Sequence, residues 1–272
     1  MTDQYAVIGR PINHTKSPLI HGLFADATGQ ALSYGAIEGS LDDFAGDVAR
    51  FRDGGGRGMN VTAPFKLQAY KLATQPSKRA RLAKAANALK FEGEQVLAEN
   101  FDGIGLLRDL QHNLGHPFKG KRVLLLGAGG AVRGALLPFL EAEPEQLVIA
   151  NRDVRKAQVL AWELHHRRLS AVSYESLAGE TFDLVINATS ASLSNELPPV
   201  PEGVFEHAAL AYELAYGKGL TPFLRLAQSQ GVKQLADGVG MLVEQAAEAF
   251  QWWRGVRPET RPVIDRLTIA LV

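Results

Sequence analysis

The chain has 272 residues, 46% of them apolar and 21% charged, which suffices for one large domain or two moderate ones with their own cores. Lys and Arg total 29 and Asp and Glu total 29, so no basic field exists to hold nucleic acid or an anionic membrane, and an anionic ligand must be held by local groups. Cysteine is absent, which excludes disulfides, thiolate metal sites and Cys nucleophiles.

The opening "MTDQYAVIGR" has no basic segment leading into a long apolar core, and the longest apolar run, "VLLLGAGGAV", is about half of the ~20 residues a membrane span needs. A soluble, cytoplasmic protein is expected. Along the chain, "YAVIG" (5–9) predicts a strand, and Pro18 in "HTKSP" predicts a helix start. A strand at 33–39, a helix at 41–53 and a strand at 58–62 follow. "NVTAPFK" (60–66) then leads into the basic helix-like "KLQAYKLA". A helix over 77–86 and a hairpin, "NALKF–EGEQ–VLAEN", come next, and "IGLLRDLQHNL" (104–114) predicts another helix.

From residue 122 the pattern repeats: strand "VLLLG", helix 131–141, strand 146–151, helix 153–168, strand 182–189, strand 208–214, helix 221–230 and a long amphipathic helix within 237–255. Strands alternating with helical stretches imply an α/β fold with parallel sheets. The domain boundary is expected near Phe101–Gly103, with 1–102 as one domain and 103–236 as the other.

"VLLLGAGGAVRG" sets Gly127, Ala128, Gly129, Gly130 and Ala131 between an all-apolar strand and a helix. Glycines there let the backbone approach a pyrophosphate whose charge sits on the helix N-terminus. The strict G-x-G-x-x-G pattern is broken by Val132 at its third glycine, so the strand–turn–helix context carries the expectation of a Rossmann-type dinucleotide site. The next strand ends in Asn151 and Arg152, with Arg155 and Lys156 behind, where an NAD site would carry an acidic residue. Arg takes a 2′-phosphate in charge-assisted hydrogen bonds, so NADP is expected over NAD, with Asp153 weighing against strictness.

The stretches "HTKSPLIH", "NVTAPFK", "AANAL", "ENFDGIG", "GAGGAVRG", "NR", "INATS", "YGKGLTPFL" and "DGVGMLVEQAAEAF", in this order, resemble the shikimate dehydrogenase family. The resemblance implies two α/β domains: 1–102, with 237–272 packing back on it, binds substrate, and 103–236 binds NADP. The implied reaction is reversible reduction of 3-dehydroshikimate to shikimate in the cleft between them. It also implies Lys66 and Asp102 as catalytic pair, and Thr15, Ser17, Asn60, Thr62, Asn87, Tyr216 and Gln245 around the substrate. The loop from Gly127 to Ala131, Asn151, Arg152, Lys156, Thr189, Leu214 and Gly238 would meet the cofactor.

The residues make chemical sense in those roles. Hydroxyls at Thr15 and Ser17 beside a helix N-terminus suit a carboxylate, although Ser17 before Pro18 is equally an ordinary N-cap. A lysine ammonium is a ready acid at neutral pH and a poor base, so Lys66 is read as proton donor in reduction, with Asp102 orienting it or capping the next helix. Oxidation should accordingly speed up as pH rises. Gln245 is polar in an otherwise apolar helix and needs a partner.

Departures from the family pattern cluster. "NTDG" is here "NFDG", with Phe101 expected to set a large ring beside the substrate. "GAVNT" is "KAANA" (Lys84, Ala86 and Ala88 around Asn87), "NVTVPFK" has Ala63, the loop after "INATS" shows Ser192 and Asn195, and the Tyr–Asp pair is Tyr212–Glu213. A divergent member with lowered turnover or shifted preference is expected. Rival readings are a quinate or dual-specificity enzyme, a methylenetetrahydrofolate dehydrogenase, and an NADP-sensing regulator without turnover. No metal is expected: His14, His21, His165 and His166 show no ligand spacing. The oligomeric state stands open between monomer and homodimer.

Overall fold

The computed structural model describes residues 2–201 and 203–271, leaving aside the side chain of Leu193. The chain divides into two compact units, Met1–Gly105 with Val243–Arg266, and Leu106–Leu242 with Leu267–Val272. The expected boundary at 102/103 lies three residues earlier. The returning segment is also shorter than 237–272, because the long C-terminal helix is itself divided at Leu242/Val243.

The first unit holds a six-stranded mixed sheet. β1 (Asp3–Gly9) lies between β2 (Leu32–Glu38) and β3 (Gly56–Val61), all parallel. β5 (Ala88–Glu92) then runs antiparallel to β3, β6 (Gln95–Glu99) antiparallel to β5, and the short β4 (Gln75–Pro76) parallel to β6. The predicted hairpin is thus β5–β6, turned by a two-residue loop with Gly93 at φ 58°. Helices α1 (Ser17–Thr28), α2 (Phe44–Asp53), α3 (Lys66–Leu72) and α4 (Lys78–Ala83) connect the strands. α5 (Asp102–Arg108) starts in this unit and passes into a π-turn over Asp109–Asn113. One apolar core gathers Ile8, Met59, Val61, Phe65 and Leu89; another joins Tyr5, Ala88 and Phe101 to Ala249 and Trp253.

The second unit is an all-parallel sheet: β7 (Arg122–Leu126), β8 (Gln146–Ala150), β9 (Leu169–Val172), β10 (Leu184–Asn187), β11 (Leu210–Glu213) and β12 (Gln234–Asp237), in the order 9-8-7-10-11-12. This is the doubly wound dinucleotide-binding order, which reverses between β7 and β10. The buried Leu124, Leu126, Val148 and Val185 show why β7, β8 and β10 read as unbroken apolar runs: both sheet faces are covered. α6 (Gly130–Glu141), α7 (Val154–Leu164) and α8 (Pro222–Ser229) are the connecting helices. α9 (Val239–Arg254) and α10 (Arg261–Leu267) end the chain. Among the described residues no helix is long and apolar enough to cross a membrane.

Candidate active site

In the first unit the expected pair is formed. Lys66 begins α3 after the turn at Pro64, and its Nζ donates to Asp102 Oδ2 at 2.6 Å. Asn87 Nδ2 donates to the other oxygen, Asp102 Oδ1, at 2.8 Å. Asp102 is the first residue of α5, but its carboxylate serves Lys66 and Asn87, while Asn100 Oδ1 accepts the Asp102 N–H at 3.1 Å. The capping role therefore belongs to Asn100. The Lys66 side chain keeps 34% of its surface exposed and Asp102 only 12%, so the ammonium reaches solvent while its partner is held inside.

Asn87 ties the pair to the rest of the cluster. Its Oδ1 accepts the Phe101 N–H at 2.8 Å, and its Nδ2 also reaches Gln245 Oε1 at 3.3 Å. Gln245 thus finds a protein partner in the residue just before β5. The Asn87 backbone carbonyl accepts from Asn60 Nδ2 at 3.1 Å. A carbonyl only accepts, so the Asn60 amide is oriented without ambiguity, with its oxygen toward Tyr34 and His21. Tyr34 OH donates to that oxygen at 2.6 Å and His21 Nε2 lies 3.1 Å away, which fixes His21 as the Nε2–H tautomer. Burial pushes the His21 pKa down to about 3 despite the Asn60 contact, and its Nδ1 has no partner. His21 is a neutral positioning group, stacked on Tyr34 at 4.1 Å.

The hydroxyl pair lies beside this chain and bonds within itself. Thr15 Oγ1 donates to Ser17 Oγ at 3.2 Å and the Ser17 N–H donates to Thr15 Oγ1 at 3.3 Å, with the Ser17 side chain near the Tyr34 hydroxyl. The N-cap of α1 is Lys16, without a side-chain cap bond, so Ser17 is not the cap. Thr62 follows β3, with its backbone N–H on Ile8 O at 2.9 Å and no hydrogen bond from its hydroxyl among the described residues. Asn60, Lys66, Asn87, Asp102 and Gln245 are therefore one connected polar network, with Tyr34 and His21 as members that sequence reading passed over and the Thr15–Ser17 pair beside Tyr34. Tyr216 lies in the second unit, after β11, 42% exposed and outside this network.

Phe101 departs from expectation. Its ring is 3% exposed and packs in the apolar cluster, edge-on to Trp252 with centroids 5.7 Å apart and under the Arg79 guanidinium at 5.6 Å. Its volume is taken up by the core of the first unit. Lys84, where the family pattern has Gly, sits at φ 51° as the C-cap of α4.

In the second unit a cleft of about 870 Å³ opens at the C-terminal ends of β7, β8 and β10. Gly127, Ala128, Gly129, Gly130, Ala131, Asn151, Arg152, Lys156 and Thr189 all line it; Leu214 and Gly238 do not. Gly127 needs its φ of 113°, and a Cβ there would crowd the Ala188 carbonyl at 3.1 Å. At Gly129 and Gly130 the space a Cβ would fill is open, and the N-terminus of the twelve-residue α6 has no side-chain cap. Uncapped N–H groups behind empty glycines fit a pyrophosphate. Asp153 caps α7 and is bound by Arg155 through Nε (2.9 Å) and Nη2 (3.0 Å), which holds its carboxyl below the usual range. The charge that weighed against strict preference for NADP is thereby matched, and exposed Arg152 is left without an ion pair among the described residues. Tyr174, Glu196, Pro198 and Pro199 also line it. They sit on loops whose sequence carries no local signal. Leu214 and Gly238 instead meet backbone to backbone, since a Cβ at Gly238 would overlap the Leu214 carbonyl.

Known proteins align with both halves. The family description "Shikimate dehydrogenase substrate binding domain" matches residues 7–89, "Shikimate / quinate 5-dehydrogenase" matches 109–195, and "Shikimate 5'-dehydrogenase C-terminal domain" matches 238–268. A shikimate dehydrogenase (NADP(+)) from Nitrosospira multiformis is 55% identical, covering 100% of this chain and 99% of its own. The crystal structure of an Ael1 enzyme from Pseudomonas putida is 70% identical with a TM-score of 0.98 over 100% of both chains. The shikimate 5-dehydrogenase of Thermus thermophilus, solved with NADP(H) and shikimate, is 31% identical with a TM-score of 0.86, covering 97% of this chain and 98% of its own. With three domain descriptions matched in order and full-length relatives at more than half identity, the chain belongs to the shikimate dehydrogenase family.

Proposed function

We propose that this protein is an NADP-dependent oxidoreductase that reversibly reduces 3-dehydroshikimate to shikimate. The observation that carries the reading is the Lys66 Nζ–Asp102 Oδ2 contact of 2.6 Å, set among the neutral amides of Asn87 and Gln245. Relatives that bear this activity in their names support it along the whole chain.

NADPH, when bound, supplies the hydride. Gly129, Gly130 and the α6 N-terminus would hold its pyrophosphate, and Arg152 with Lys156 its 2′-phosphate. Lys66 gives its proton to the substrate oxygen as negative charge builds there, which is worth about 10²–10⁴ in rate for a positioned acid. Asp102 accepts from the ammonium and then from the amine left after transfer, keeping the nitrogen aimed, and Lys66 regains its proton through its exposed face. Asn87 and Gln245 would exchange the long 3.3 Å bond between them for bonds to the ring hydroxyls, and Thr15 and Ser17 would rotate their protons onto the carboxylate. We read the enzyme as cytoplasmic, with small molecules as its ligands and a monomeric or homodimeric state.

The test is an absorbance assay of the purified protein with NADP⁺ or NAD⁺ and with shikimate, quinate or neither. Turnover is expected with shikimate and NADP⁺. Lys66→Met should lower kcat about 10²–10⁴-fold while leaving the NADP⁺ KM within about threefold. Turnover confined to quinate, or binding of NADP⁺ with no turnover on either acid, replaces the proposal with one of its rivals.

A further inference from the structure

Glu213, the last residue of β11, is fully buried. Its Oε2 accepts from Asn187 Nδ2 at 2.9 Å, from Thr221 Oγ1 at 3.1 Å and from Ser192 Oγ, and its Oε1 from the Ala215 N–H at 3.4 Å. All of these donors are neutral, and burial pushes the carboxyl up from its ordinary value. Burying an acid without an opposite charge is costly. Tying down strand ends needs no acid, so its position calls for a task that only an acceptor performs.

We infer that Glu213 is a positioning residue for the nucleotide, acting through Asn187 to fix the direction of the Thr189 hydroxyl. A carboxylate only accepts, so the Asn187 amide must face it with Nδ2. The Asn187 oxygen then points the other way, where it accepts from the Thr189 N–H at 3.1 Å and from Thr189 Oγ1 at 2.7 Å. The single hydroxyl proton of Thr189 is thereby spent inward. The Ala191 N–H takes one outer lone pair at 3.3 Å, and what remains toward the cleft is an acceptor. A ligand group that meets Thr189 must donate, as a ribose hydroxyl or a carboxamide N–H does. The same carboxylate holds Ser192, in the turn that lines the cleft, and Thr221, the N-cap of α8, so the relay is anchored from two further loops.

This inference rests on the dinucleotide reading of the cleft. The test is a fluorescence titration of the full-length protein with NADPH alone, without substrate. Glu213→Gln, which can place a donor against Asn187, and Thr189→Val, which removes the relay's output, should each raise the NADPH Kd about tenfold, the size of one hydrogen bond. Because both act on the same contact, the double variant should bind no more than about twofold worse than either alone. Glu213→Asp, which keeps an acceptor-only group, should stay within about threefold of wild type. An additive double variant, or a Glu213→Gln protein that melts earlier with unchanged Kd, would overturn the relay. Thr189→Val does not disturb the buried acid, so an unchanged Kd in that variant overturns it even where Glu213→Gln fails to fold. A wild type that binds no NADPH overturns the reading of the cleft along with it, whereas normal wild-type binding with unaffected variants overturns the relay only.

Discussion

Phe101 stands one residue before the proposed acid-holding carboxylate, at a position where the family pattern carries a threonine. Its backbone takes part in the site, since its N–H orients Asn87, but its ring belongs to the core with Ala249, Trp252 and Trp253. Exchanging a buried ring for a small polar side chain removes apolar contact and leaves a cavity that neighbouring helices close only in part. Phe101→Thr is therefore expected to cost about 2–4 kcal/mol in stability, read as a lower melting temperature or denaturation midpoint. At a temperature where both proteins are folded, its kcat with shikimate should stay within about twofold of wild type. A markedly higher kcat would return the ring to the substrate pocket as a steric brake. The residue type was legible in the sequence, but its direction was not: period and motif say which residue follows Asn100, whereas the cluster formed with a helix some 150 positions later decides where the ring goes.

At the scale of elements, α5 and α9 approach each other closely at one glycine. A Cβ on Gly105 would stand 2.7 Å from the Gln245 N and 2.8 Å from its Cβ, contacts that only a backbone shift can relieve. This places Gln245 within reach of Asn87, because α5 begins with Asp102 and the two helices carry facing members of one network. Gly105→Ala should accordingly destabilise by about 1–3 kcal/mol through overpacking and raise the shikimate KM several-fold more than the NADP⁺ KM. Equal changes in both KM values would mean that the glycine serves packing alone. The long helices and central strands were readable because their apolar periodicity is strong, and the hairpin because of its Gly93–Glu94 turn. β9, β12 and α10 were not. The first two are short outer strands of four residues with mixed burial, which leave no alternation to detect. α7 ends at Leu164, not at 168 as predicted, because His165 turns left-handed at φ 44°, a backbone event that the charged run "HHRR" does not announce.

At the scale of the whole molecule, the balance of 29 cationic against 29 anionic residues gives no long-range field, so recognition of an anionic cofactor falls to a few groups at the cleft. The glycine loop and the basic residues after β8 were legible in sequence because they are contiguous. The pairing of Asp153 with Arg155, and the consequent freeing of Arg152, required the geometry of the α7 cap. On the proposed reading, an arginine outside any ion pair among the described residues is the feature that would separate a 2′-phosphate from a 2′-hydroxyl at this place. Its interaction with the phosphate is short-ranged and exposed to counterions, so salt should weaken it: the screening length shrinks from about 10 Å at 0.1 M to about 3 Å at 1 M. In wild type the KM for NADP⁺ should rise with added NaCl, while the KM for NAD⁺, lacking the phosphate, stays nearly flat. Arg152→Gln should raise the NADP⁺ KM by about ten- to hundredfold, the worth of a charge-assisted hydrogen bond, and make its salt dependence shallower. Lys156 and Arg155 remain in that variant, so some dependence persists. Steady-state kinetics with both cofactors across a salt series read all of these quantities together. An Arg152→Gln enzyme with an unchanged NADP⁺ KM would move the phosphate contact to Lys156 and leave the arginine as a surface cation.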